Sequence, residues 1–128
     1  MEYQEFLDEV GRLDFVKSPD DADAMIKAVL GIMCSRMSLE DAQKFTADLP
    51  SPLTMYRLRT RQPTPLVIGV QEYIRELQKQ FHISGEQARI LVDTVMSLAR
   101  RAVGRETWLD VEHNMPIEWR MIMQRSAA

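Results

Sequence analysis

The sequence predicts an all-α protein: a pseudo-two-fold helical bundle built from two tandem three-helix repeats, each ending in a short helical turn. Two observations carry this prediction. Apolar residues recur at helical spacing along most of the chain. The segments of residues 3–57 also return in the same order in residues 66–123, where Gln-Glu-Phe-Leu at 4–7 matches Gln-Glu-Tyr-Ile at 71–74, and Leu-Pro at 49–50 matches Met-Pro at 115–116. Each half is too short to bury a stable core alone, so residues 1–128 are expected to form one domain.

The first helix of each repeat carries one apolar stripe. Its members are Phe6, Leu7, Val10 and Leu13 in the first repeat, and Val70, Tyr73, Ile74, Leu77 and Phe81 in the second. Thr64 before Pro65 is typical of an N-cap followed by a first-turn proline, which predicts that the second of these helices begins there.

The second helix of each repeat is longer and more apolar. Ser18 followed by Pro19 predicts one start, and a capping box of Ser84 and Gln87 predicts the other. The wide apolar face predicts that both long helices are covered on more than one side.

The third helix is short and ends near Pro50 or Pro116. A last helical turn follows at residues 51–56 and 117–121, and Ser51-Pro52 again resembles a helix start. Residues 58–65 lack helical apolar spacing and include two prolines, so we predict a linker there.

The opening motif, Tyr-x-x-Phe-Leu-x-x-Val at residues 3–10, resembles the bacterial family named "domain of unknown function 2267". Its members are similar in continuing with a loop, a long helix, a short helix and a Leu-Pro stop, and in repeating the unit. The second copy departs from the pattern at Trp108, His113, Asn114, Met115 and Trp119. The resemblance implies an all-helical fold. It implies no reaction, and no catalytic residue belongs to the shared motif.

Composition narrows the classes of function. The content of 45% hydrophobic and 27% charged residues is ordinary for a globular protein. No apolar run approaches the roughly 20 residues of a membrane span, and the acidic N-terminus does not resemble a secretory signal. A single cysteine, Cys34, excludes an internal disulfide, so a cytoplasmic location is expected.

Charge is unevenly distributed. Residues 1–53 carry eleven acidic and five basic side chains, whereas residues 54–128 carry eight acidic and eleven basic ones. This asymmetry favours either complementary packing between the halves or the docking of a charged partner. Overall acidity argues against nucleic-acid binding, which needs a basic face.

No constellation of catalytic, cofactor-binding or metal-binding residues is recognisable. His113 follows Asp110 by three residues, but one carboxylate and one imidazole make a weak metal site, and His82 lacks even that partner. Cys34 has no neighbouring base, so it is expected to be a small buried residue rather than a nucleophile. We therefore predict a protein that is not an enzyme and has no cofactor.

The leading hypothesis is a protein–protein interaction module with an unidentified protein partner; a homodimer is one candidate. The predicted contact residues are Trp108, Trp119, Met121, Arg57, Arg59 and Arg61. Tryptophan and arginine are frequent at interface hot spots, and methionine suits adaptable surfaces. If the tryptophans belong to the core, this hypothesis loses its main support. The alternative is a binder of a small anionic ligand between the repeats, with arginines at the mouth of the pocket.

Overall fold

The chain folds into an all-helical bundle in a computed structural model that describes residues 1–59, 65 and 67–125. Within these residues it has eight helices and no strand. The helices are α1 (Tyr3–Gly11), α2 (Pro19–Ser35), α3 (Leu39–Ala47), α4 (Met55–Arg59), α5 (Val70–Phe81), α6 (Gly85–Val103), α7 (Arg105–Asn114) and α8 (Ile117–Arg125). The predicted all-α fold class is confirmed, whereas the two-fold relation between the repeats stays a prediction.

The long helices begin where their caps predicted. The Ser18 hydroxyl accepts a hydrogen bond from the Asp21 amide at 3.1 Å, with Pro19 in the first turn of α2. At the start of α6, Ser84 Oγ accepts from the Gln87 amide at 3.1 Å, and Gln87 Oε1 accepts from the Ser84 amide at 2.9 Å. These bonds satisfy amides that lack a partner within the helix, which is why the starts could be predicted locally.

Two other predicted starts are wrong. Helix α5 begins at Val70 with Gly69 as its N-cap, not at Pro65; Thr64 lies outside the described residues. Helix α4 begins at Met55, because the residues before it form a turn in which the Leu53 amide donates to the Pro50 carbonyl at 2.8 Å. The predicted linker of residues 58–65 therefore starts inside α4.

The helices of both halves share one apolar interior. Helix α2 packs against α1, α4, α5 and α6, and α6 packs against α1, α5, α7 and α8 as well. Polar contacts also cross between the halves: the buried Tyr73 hydroxyl donates to the Val29 carbonyl at 2.9 Å. The wide apolar faces of the two long helices are covered on several sides, as their sequences predicted.

Gly31 lies where α2 and α4 pack closely together. A Cβ atom at Gly31 would lie 3.0 Å from the Leu58 carbonyl oxygen, whereas one at Gly11 would meet no heavy atom within 4 Å. We expect Gly31→Ala to lower the free energy of unfolding by about 1–3 kcal/mol, because α4 must move away from α2. Gly11→Ala, the matched control, should be neutral or stabilising by up to about 1 kcal/mol. Urea denaturation of both variants tests this, and equal effects would contradict the close packing.

Candidate functional site

Trp108 lies in the core and not on the surface. Its side chain is fully buried, with the ring 5.7 Å from that of Phe45, measured between centroids. The Arg100 guanidinium lies 5.5 Å from the Trp108 ring centroid, and the indole N–H donates to the Met123 carbonyl at 3.3 Å. The predicted contact residue is thus enclosed by α3, α6 and α8, and it cannot contact a partner in this fold.

Trp119 is buried in the same way. Its ring centroid is 5.1 Å from that of Tyr73, and its indole N–H donates to the Ile68 carbonyl at 3.2 Å. Both tryptophans are therefore corrected from contact residues to core residues. The physical reason is that each indole has an aromatic neighbour and a carbonyl acceptor inside the fold, so burial leaves its N–H satisfied.

The three linker arginines do not form one basic clamp. Arg57 is exposed, Arg59 is only 1% exposed, and Arg61 lies outside the described residues. An extended chain would point Arg57 and Arg59 to the same side, but in α4 they point about 160° apart. Arg59 is thus corrected from a surface residue to a buried one.

Arg59 holds the C-terminal end of α2. Its Nη1 donates to the Cys34 carbonyl at 3.2 Å and also to the Met37 carbonyl. A guanidinium at this end satisfies carbonyls that lack helical partners and favours the negative end of the helix dipole. The buried arginine therefore has a structural role.

One predicted residue, Met121, does lie on an exposed apolar surface. Met121 is 63% exposed and Ile117, one turn earlier in α8, is 73% exposed. Val67 is 90% exposed and precedes Ile68, which binds Trp119 of α8. We call Ile117 and Met121 the α8 face. Ile117 was not among the predicted contact residues, although its spacing of four residues from Met121 places both on one side of a helix.

A cleft of about 380 Å³ lies between the halves, where the start of α3 meets the end of α7. Its lining includes Arg36, Asp41 and Asn114. Asp41 is only 5% exposed and accepts hydrogen bonds from Asn114 Nδ2 at 3.1 and 3.4 Å. The Arg36 Nε atom is buried, and no hydrogen-bond partner for it is present among the described residues. The cleft therefore combines both signs of charge with apolar lining residues such as Met37 and Met115.

The two histidines stay apart from any reactive cluster. His82 is exposed in the left-handed conformation that ends α5, and His113 is exposed in the last turn of α7. Across the described ranges, no three His, Cys, Asp or Glu side chains are grouped so that they could hold a metal ion. Among the same residues, no helix combines the length and apolar character needed to cross a bilayer.

Cys34 is buried, and burial raises the pKa of its thiol to about 12, although the nearby Arg59 charge acts in the opposite direction. In the unfolded chain the thiol ionises near 9.0, so above that pH the unfolded state binds fewer protons than the folded state. We therefore expect stability to fall as pH rises from about 9 to about 12, with a loss of about 1–2 kcal/mol from this thiol at pH 10.

Urea denaturation between about pH 8 and about pH 10 measures this effect, with Cys34→Ala as the reference protein. Burial also raises the pKa values of Tyr3 and Tyr73, but both proteins keep these groups. The free energy of unfolding should therefore fall more steeply with pH in the wild type than in Cys34→Ala, and the difference between the two slopes is the contribution of the Cys34 thiol. Coincident slopes would contradict a thiol that stays protonated in the fold.

The helices, the shared core and the exposed α8 face define the class: a small all-helical bundle protein. The chain belongs to the family described as "Uncharacterized conserved protein (DUF2267)", whose model matches residues 3–122. The resemblance inferred from the repeated motif is confirmed. No curated protein and no solved structure matches the chain.

Proposed function

We propose that this protein is a cytoplasmic, non-enzymatic interaction module whose protein partner docks on the α8 face. The observation that carries the proposal is the exposure of Ile117 and Met121 on one side of a single helix. Isolated exposed apolar residues are common, but a cluster rimmed by polar residues marks contact surfaces more often.

The position of the α8 face within its helix supports the proposal. Trp119, Ile122 and Met123 point into the core, so α8 is anchored by the side opposite Ile117 and Met121. Side chains at positions i and i+4 are the usual anchors when one helix lies in a groove or against another helix. Since the fold fixes the backbone of α8, little conformational freedom is lost on binding.

The partner surface is smaller than the sequence predicted. Met121 remains from the predicted set and Ile117 is added, while Trp108, Trp119 and Arg59 move to the interior. Arg57 is exposed on α4, which packs on α2 and α3, whereas α8 packs on α6 and α7. A partner that contacts Met121 therefore has no need of Arg57.

Affinity capture with the double variant Ile117→Lys, Met121→Lys tests the proposal. Both side chains are exposed, so the variant should fold like the wild type, as circular dichroism can verify. The matched control is Ile90→Lys, on the outer side of α6. A specific protein retained by the wild type and the control, but lost by the double variant, supports the proposal. Equal capture by all three proteins, or capture by none of them together with no self-association of the wild type, would overturn it.

The second candidate function is binding of a small anion in the cleft between the halves. The buried Arg36 Nε favours it, since a carboxylate or phosphate oxygen would supply an acceptor. The Asp41 carboxylate lines the same cleft and repels an anion, so this function ranks below the first. Thermal-shift measurements with citrate and with inorganic phosphate test it, because a bound ligand raises Tm. Support requires a rise in Tm that Arg36→Gln removes, and an unchanged Tm would contradict it.

A further inference from the structure

We infer that the occupant of the α8 face is a second copy of this chain, which pairs its own α8 with this helix in antiparallel orientation. The inference rests on the proposed function and names the partner. It follows from the arrangement of charge and apolar surface along α8.

The apolar centre of the face is flanked by opposite charges. Glu118 and Arg125 are both exposed and are seven residues apart, so they lie on the same flank of α8, one at each end. Met121 lies between them along the axis and is 63% exposed. A helix with an acid at its start, a base at its end and an apolar middle is complementary to an inverted copy of itself.

The symmetry of an antiparallel pair brings these groups together. A two-fold axis that passes between residues 121 and 122 places Glu118 of one copy at the level of Arg125 in the other, and the reverse contact is made at the other end. The two Met121 side chains meet near the axis, with axial positions differing by about 1.5 Å. Such a contact is isologous, and two-fold dimers are the commonest oligomers. The helix dipoles also run in opposite directions, which is favourable.

The Arg125 side chain is restrained within the single copy. Its Nε donates to Asp93 Oδ1 of α6 at 3.0 Å, which uses one of the five N–H donors of the guanidinium. Because the side chain is restrained in the single copy, pairing with Glu118 of the other copy requires less ordering.

The contact area sets the expected strength. Helix α8 has nine residues and is about 13 Å long. The face is therefore smaller than the roughly 800 Å² per partner that stable complexes bury. A weak, concentration-dependent dimer is expected rather than a permanent one.

Disulfide trapping distinguishes the antiparallel pair from other contacts. The variant Met121→Cys places a thiol near the axis, so mild oxidation should link two copies. Ile117→Cys is the matched control on the same exposed face. In the antiparallel pair its two copies are separated by about 13 Å along the axis, too far for a disulfide. The native thiol, Cys34, is buried and does not compete.

Preferential linking of Met121→Cys, by about tenfold or more over Ile117→Cys, supports the inference. Equal linking of the two variants indicates random collision or a parallel pair and overturns it. Sedimentation provides a second measurement. Glu118→Arg should weaken the dimer about tenfold, since it makes two attractive pairs repulsive.

The two proposals can fail separately. If the wild type stays monomeric at every concentration while a different protein is still captured through Ile117 and Met121, the dimer is refuted and the interaction module stands. If neither self-association nor capture depends on these residues, both proposals fall.

Discussion

Trp108→Ala and Trp119→Ala should each lower the free energy of unfolding by about 3–5 kcal/mol, the range observed when a buried aromatic side chain is truncated. Both indoles are fully buried, and each packs against an aromatic ring, Phe45 or Tyr73 respectively. Each substitution leaves a large cavity and removes the indole hydrogen bond to a backbone carbonyl. A domain of this size has only about 5–15 kcal/mol of total stability, so either variant should be close to unfolding at 37 °C.

Urea denaturation followed by circular dichroism measures both variants, with Met121→Ala as the control. Met121 is apolar and lies in the same helix as Trp119, but it is exposed, so its truncation should change stability by no more than about 0.5 kcal/mol. If a tryptophan variant does not fold, the corresponding Trp→Phe variant, which keeps a ring in the core, should show a smaller loss. Tryptophan variants as stable as Met121→Ala would contradict the interior location of the indoles.

Arg59→Ala should lower the free energy of unfolding by about 3–5 kcal/mol, whereas Arg57→Ala, two residues earlier in α4, should change it by no more than about 0.5 kcal/mol. Arg59 is 1% exposed, and its loss removes the donor to the Cys34 and Met37 carbonyls at the end of α2. The truncation also creates a cavity between α2 and α4, where the long arginine side chain was packed.

One effect opposes the loss of stability expected for Arg59→Ala. Removing a buried cation also removes the cost of its desolvation, and replacing buried charges by apolar groups is sometimes neutral. We still expect a net loss of stability in Arg59→Ala. The Cys34 and Met37 carbonyls lose their guanidinium donor, and the cavity left by the side chain adds to the cost. Arg59→Met, which keeps most of the stem, separates the two contributions. A fully stable Arg59→Met variant would refute the role of the guanidinium at the end of α2.

The features that were predicted correctly depend on neighbouring residues in the chain. The starts of α2 and α6 follow from Ser18 before Pro19 and from the pairing of Ser84 with Gln87. Apolar spacing likewise predicted the helical class and the broad buried faces of both long helices. The errors in the starts of α4 and α5 have the same local character, since a proline after Ser51 or Thr64 is compatible with a turn as well as with a helix.

The sequence by itself determined which segments are helical, where the long helices begin and which stripes are apolar, because these depend on contacts within three or four residues. Only the tertiary structure decided which large side chains are enclosed. Trp108 and Trp119 are buried by Phe45 and Tyr73, and Arg59 is buried by the end of α2, all of which are distant in sequence. Residue type alone cannot distinguish a tryptophan of the core from one at an interface, since both environments bury the same apolar area. For the same reason the α8 face emerged only after the packing had assigned Trp119, Ile122 and Met123 to the interior and left Ile117 and Met121 outside.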